Sequence, residues 1–109
     1  MAEFAEGFLL TKESMEYFNN HYAPKDDDIL VSPYLGDLAK SPPTVLVTAG
    51  LDPLRDQGRE DLIRQGVNTN YIEMPGTVHG FINIRKAVPS AMQDVDKMIA
   101  AWKTLLAGL

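Results

Sequence analysis

The sequence contains no cysteine, two histidines and a single tryptophan. Without cysteine there is no disulfide framework, no thiol nucleophile and no thiolate metal site, and the redox compartment leaves no mark on the chain. Two histidines far apart, with no cysteine beside them, do not make a zinc site. Positive charge is also scarce: ten Lys and Arg face fifteen Asp and Glu, for a formal net charge of −5. A surface of that sign offers no basic patch to nucleic acid or to an anionic membrane, so neither is expected as a partner. No apolar run approaches the ~20 residues of a membrane span. The N-terminus, MAEFAEGFLL, carries two Glu and no Lys or Arg. It does not read as a signal peptide, and a cytoplasmic location is expected.

What remains is an ordinary globular composition, 45% apolar and 23% charged over 109 residues. That length suits one domain with one modest core. Thr11 is placed to N-cap a helix, with Leu10 before it able to staple onto Met15. Met15, Phe18 and Tyr22 follow at helical spacing, so the pattern predicts an amphipathic helix over 11–22, ended by Pro24. His21 falls in its last turn, where a cation suits the helix dipole, and is read as structural. The run 25-KDDD-28 lacks the ligand spacing and glycine of a calcium loop and reads as solvated. Pro33, Gly36, Pro42 and Pro43 make 29–43 an irregular covering segment.

The run 44-TVLVTAG-50 is apolar and β-branched, as in a strand covered on both faces of a parallel sheet. A helix is expected next, with Pro53 at its first position, a Glu60–Arg64 pair on its surface and Gly66 just past its end. The run 69-TNYIEM-74 is a second strand, stopped by Pro75-Gly76. Strand, helix and strand within about thirty residues make a βαβ unit, expected to be parallel and right-handed. A last helix is expected from the box 90-SAMQ-93, with Met92, Val95, Met98, Ile99, Trp102, Leu105 and Leu106 as a core or interface stripe. The fold class is therefore α/β: two parallel strands with about three to four helices in a single unit over 1–109, with 7–43 as a helical cover and 44–109 as the strands and their flanking helices.

Two loop residues stand out. Asp52 follows the first strand and His79 follows the second. In a parallel unit both loops lie at one sheet edge, where open α/β sheets gather their sites. The two side chains are therefore expected to be neighbours. A carboxylate accepting the Nδ1 proton of a histidine fixes its tautomer and leaves Nε2 to act as base and acid. From spacing alone, Asp52 before Pro53 reads equally as a helix cap, and a lone loop histidine is more often structural. Asp56 is a second candidate acid but falls inside the expected helix. The order Asp then His, each after a strand, is the second half of the order Ser…Asp…His. No serine here sits in a G-x-S-x-G elbow: Ser14 lies in the first helix, Ser32 and Ser41 precede prolines, and Ser90 is the expected cap of the last helix. The only His-Gly pair is His79-Gly80, so a Gly-rich oxyanion loop is missing too.

The segment 42-PPTVLVTAGLDPLRDQG-58, followed by 75-PGTVHGF-81, strongly resembles the C-terminal part of the hormone-sensitive-lipase-like family of α/β-hydrolase esterases. Upstream, 7-GFLLTKESMEYFNNHY-22 and 32-SPYL-35 resemble further elements of that family, so the resemblance covers nearly the whole chain. It implies a C-terminal portion of the α/β-hydrolase fold, with Asp52 as the triad acid and His79 as the triad base. It implies hydrolysis of short-chain carboxylic esters through an acyl-serine, with no metal and no organic cofactor. Residues 7–40 match the family's pocket-shaping helices, which places Phe8, Tyr17, Phe18 and Tyr34 near the pocket or in the core. The first six strands, the oxyanion loop and the serine elbow of that family correspond to nothing here. The chain is thus expected to supply the acid and base of a triad whose serine comes from elsewhere, and to be inactive alone. It is further expected to self-associate or to pair with an N-terminal, Ser-bearing part. A non-catalytic oligomeric α/β module with vestigial triad residues is the alternative.

Overall fold

The computed structural model describes residues 5–109; the first four residues of the N-terminal reading lie outside it. Helix α1 spans Lys12–Tyr22, β1 Thr44–Ala49, α2 Arg55–Arg64, β2 Thr69–Met74, α3 Phe81–Ile84 and α4 Pro89–Ala107. Two single 3-10 turns, Pro33–Leu35 and Leu38–Lys40, lie within the covering segment. The strands are parallel neighbours in a two-stranded sheet, in register from Thr44 opposite Thr69 to Ala49 opposite Met74.

The two faces of the sheet have different cover. Val47, Ala49, Ile72 and Met74 pack with Phe81 of α3 and with Ala91, Val95 and Met98 of α4, and this cluster is the core. On the other face Tyr71 bonds Thr48 and Glu73 through its hydroxyl, and the Arg59 guanidinium of α2 lies 5.0 Å from its ring centre. The expected double cover of β1 does not hold. Thr44 to Thr48 are only half-buried and Ala49 alone is buried. The reason is that β1 has one paired edge and helices that overlap it only in part. The molecule is accordingly a plate of 42 × 37 × 21 Å. Its radius of gyration of 15.3 Å exceeds the ~13 Å of a compact chain this long.

The helix ends show which local signals prevailed. Thr11 caps α1 as expected, its hydroxyl accepting from the Ser14 amide while Ser14 Oγ accepts from the Thr11 amide. Ala23 closes the helix in the left-handed region at φ 47°, just before Pro24. Helix α2 starts at Arg55, not at Pro53, because Asp52 first makes a turn with its side chain on the Leu54 amide. Arg64 pairs with Asp61 one turn back, at 3.1 Å, instead of with Glu60. Gly66, at φ 73°, lets the Gly66 and Val67 amides reach back to Ile63 and Leu62 and close α2. Helix α4 starts at Pro89 with Val88 as its N-cap, and Ser90 makes no cap bond. Proline at the first position, its φ already helical, prevails over the serine box one residue later.

Two hydrophobic patterns fall differently from expectation. Helix α4 buries Ala91, Asp94 and Val95, while Met92, Ile99, Trp102 and Leu106 stay exposed. The apolar stripe is wider than the face β1 and β2 can cover. Helix α1 buries nothing: Tyr17, Phe18 and Tyr22 are exposed, as is Tyr34, so the core role open to Tyr17, Phe18 and Tyr34 is not theirs. The cover is held instead by Gln65, whose amide accepts from the Leu38 N–H and donates to the Tyr34 carbonyl.

Candidate functional site

The site is built where β1 and β2 end together. Gly50 follows β1, and its amide donates to the Met74 carbonyl at 2.7 Å. A β-carbon at Gly50 would lie 2.5 Å from the Pro75 backbone, so only glycine permits this approach. One residue on, the Leu51 amide donates to the Thr77 carbonyl at 3.0 Å. These two bonds fasten the loop carrying Asp52 to the loop carrying His79. Gly80, at φ 70°, turns the chain from His79 directly into α3.

Asp52 Oδ2 and His79 Nδ1 lie 2.7 Å apart, the length of a charge-assisted bond. The other carboxylate oxygen, Oδ1, accepts from the Leu54 amide at 2.9 Å. Asp52 is therefore not the helix cap its spacing allowed: the N-cap of α2 is Leu54, without a side-chain cap bond, and Oδ1 closes a turn ahead of the helix while Oδ2 meets the histidine. With Oδ2 anionic, Nδ1 carries the proton it donates, and Nε2 is left as the free base. Exposure is divided between them: the Asp52 side chain is 11% exposed and that of His79 46%. The acceptor is sheltered while the ring is open to solvent. A recess of about 280 Å³ beside them is lined by Thr48, Asp52, Leu54, Arg55, His79 and Phe81 among others.

Asp56 does not compete for the histidine. Its carboxylate is exposed and takes two hydrogen bonds from the Arg55 guanidinium, at 2.9 and 3.1 Å. Those bonds hold its pKa below the ordinary carboxylate value. The same guanidinium reaches the Gly50 carbonyl at 3.3 Å, which ties α2 to the end of β1. His21 lies on α1, its Nδ1 2.8 Å from the Tyr17 carbonyl and its ring against that of Tyr17.

No serine hydroxyl bonds His79 among the described residues. Ser14 is engaged with Thr11 at the start of α1. Ser32 and Ser41 flank the 3-10 turns and Ser90 lies in the first turn of α4. Among the described residues there is also no group of three or more His, Asp or Glu placed to hold a metal ion. None of their helices is long and apolar enough to cross a membrane.

Thr77 and Asp94 are missed by reading the sequence for chemistry. Both are buried, and the Thr77 hydroxyl donates to Asp94 Oδ2 at 2.8 Å. Lys97 Nζ lies 2.9 Å from the other oxygen. The signal was present: Asp94 stands at helical spacing with Ala91, Val95 and Met98, an acid in the apolar phase of its helix.

Comparison with known proteins gives a consistent result. The sequence pattern of the alpha/beta hydrolase fold family matches residues 1–83. A carboxylic ester hydrolase of Mycobacterium tuberculosis is 30% identical, over 97% of this chain and 30% of its own length. A carboxylesterase of the same organism is 32% identical, over 95% of this chain and 36% of its own. Among solved structures, an ester hydrolase from the metagenome of Lake Arreo superposes with a TM-score of 0.79 at 37% identity, covering 95% of this chain and 35% of that one. An esterase of Pyrobaculum calidifontis gives 0.79 at 28% identity, over 95% and 36%. The chain spans about a third of the length of the curated relatives it matches.

Proposed function

Because the chain belongs to the α/β-hydrolase fold family, among relatives that are carboxylesterases, we propose that it supplies the acid and the base of a Ser-His-Asp triad for carboxylic ester hydrolysis. In this reading Asp52 orients His79 and stabilises its imidazolium. His79 Nε2 takes the proton of a serine hydroxyl as that oxygen attacks the ester carbonyl. It then returns the proton to the departing alcohol, and in the second half activates water against the acyl-serine. The serine and the oxyanion donors come from outside these 109 residues, in a Ser-bearing N-terminal part. Alone, the chain is inactive. The substrate class is a short-chain carboxylic ester, as the resemblance to the hormone-sensitive-lipase-like esterases implies. The reaction needs no metal and no organic cofactor.

The observation that carries this reading is the 2.7 Å contact of Asp52 Oδ2 with His79 Nδ1, with the ring half-exposed. The test is hydrolysis of p-nitrophenyl acetate by the purified chain, alone and mixed with the Ser-bearing remainder of a related esterase. Turnover in the mixture that disappears with His79→Ala supports the reading. A mixture that turns over equally well with His79→Ala refutes it.

A second reading rests on a separate observation. The unpaired edge of β1 and the outer face of α4 form an apolar groove of about 410 Å³, lined by Val45, Leu46, Val47, Met98, Ile99 and Trp102. Open strand edges and exposed apolar faces invite association. In this reading the chain is an oligomeric, non-catalytic module in which Asp52 and His79 are retained from an esterase. A background rate in every mixture, together with a stable oligomer, is the result it requires.

A further inference from the structure

Thr77 and Asp94 are the buried polar side chains among the described residues, and neither takes part in the chemistry above. A carboxylate in an apolar helix face carries a desolvation penalty and is tolerated where hydrogen bonds satisfy it. Asp94 is six residues into α4, beyond the first turn, so the helix N-terminus does not explain it. Lys97 bonds it from the solvent side, with a side chain 64% exposed, where water screens the pair. The sheltered partner is Thr77, which is held at three points. Its amide donates to the Met74 carbonyl at 3.3 Å, its carbonyl accepts from the Leu51 amide at 3.0 Å, and its hydroxyl donates to Asp94 at 2.8 Å.

These bonds converge on the site. Thr77 is two residues before His79, and Leu51 is the residue before Asp52. The loop that carries Thr77 and His79 has glycine on either side of them, at 76 and 80, which leaves its backbone loose unless something pins it. We propose that Asp94, acting through Thr77, is a positioning residue that fixes the 75–80 loop so that His79 Nδ1 meets Asp52 Oδ2. The proposal rests on the reading of Asp52 and His79 as acid and base, and assigns their alignment to a carboxylate on the last helix. Burial pushes the Asp94 pKa up, but bonds from Lys97 and Thr77 more than offset it and leave the carboxyl below its ordinary value. Asp94 is therefore an anionic acceptor at neutral pH, the stronger kind of partner for a hydroxyl.

The test reads the bond itself, not ester turnover. In the full chain with 15N-labelled histidine, the Nδ1 proton of His79 is followed by its chemical shift and its exchange with water. Thr77→Val removes the hydroxyl at constant shape, and exchange of that proton is expected to speed up about tenfold, the effect of losing one hydrogen bond to a charged group. Thr77→Ser restores the hydroxyl and should stay within about twofold of the parent. Thr104→Val, which removes an exposed hydroxyl bonded to the Ala100 carbonyl further along α4, should change nothing. A Thr77→Val chain with the parent's shift and exchange overturns the proposal while leaving the acid–base pair intact. A parent chain with no carboxylate-bonded Nδ1 proton removes the pair itself, and the proposal with it. Should Thr77→Val fail to fold, the unmodified chain decides. Under increasing urea the Leu51 amide and the His79 Nδ1 proton should open together, and a His79 proton that opens while Leu51 stays protected overturns the proposal.

Discussion

Gly50 and Pro75 meet backbone to backbone: a β-carbon on Gly50 would stand 2.5 Å from both the Cα and the carbonyl oxygen of Pro75. The obstacle is main chain, which cannot rotate away as a side chain can. Gly50→Ala is therefore expected to destabilise the chain by about 1–3 kcal/mol, as overpacking does. It should also part the loops of Asp52 and His79. Urea unfolding checks the first effect and the His79 Nδ1 proton signal the second. A variant as stable as the parent would mean that the two ends do not touch this closely in solution.

Asp52 and His79 should differ in their weight on stability although they are partners. Asp52→Ala strands the Leu54 amide as well as the imidazole, and losing that one hydrogen bond costs about 1 kcal/mol. His79→Ala removes a half-exposed ring and should stay within about 0.5 kcal/mol of the parent. Chemical denaturation of the two variants side by side gives the comparison. Equal losses would mean that the bond to Leu54 contributes nothing.

The Asp94 carboxyl, held below its ordinary value of 3.8 in the fold, links stability to acid. Above that value the carboxyl is ionised both folded and unfolded, and its contribution is complete. As pH falls below 3.8 the unfolded chain takes up the proton first, and the contribution is lost by the time pH has passed through the lower folded value. Asp94→Asn lacks this group. The parent should exceed the variant in stability by a constant amount from about pH 7 to pH 5, and the gap should close in stronger acid. Urea midpoints of both chains across that range provide the check. A gap that widens in acid would reverse the sign argued here.

Ile99 is 40% exposed and lines the groove beside β1. Ile99→Glu puts a charge where a covering surface would have to dry it, at little expense to the isolated chain. Sedimentation of the parent is expected to reveal association at tens of micromolar or below, and the variant to shift toward monomer by about tenfold in dissociation constant. A parent that sediments as a monomer at all concentrations would remove the association reading.

The parts legible in the sequence are those fixed by short-range chemistry. Both strands run over 44–49 and 69–74, where the β-branched pattern and the bounding Pro and Gly residues place them. The Thr11 cap and the Gly66 turn follow from side-chain and backbone preferences at single positions. The nearness of Asp52 and His79 follows from one topological rule about parallel strands. Legibility failed where two local signals competed or where cover from other elements decides. Ser90 and Pro89 both signal a helix start, and proline prevails. The stripe of α4 records every apolar side chain on that side, but only the sheet's width determines which are buried. Thr77 and Asp94 stand in no catalytic motif. Their contact spans a loop and a helix, and no pattern within either segment announces it.

Trp102 is the only tryptophan in the chain, and it stands 55% exposed on the groove beside β1. The molecule thus carries one indole fluorophore, which can be excited at wavelengths where its four tyrosines do not absorb, placed on the groove beside that strand edge. Its emission reports on that surface alone, red-shifted while the indole faces water and moving to the blue when it is covered. Whether the edge is met by another polypeptide or by a second copy, the event can be followed in real time, without a label and without an active enzyme.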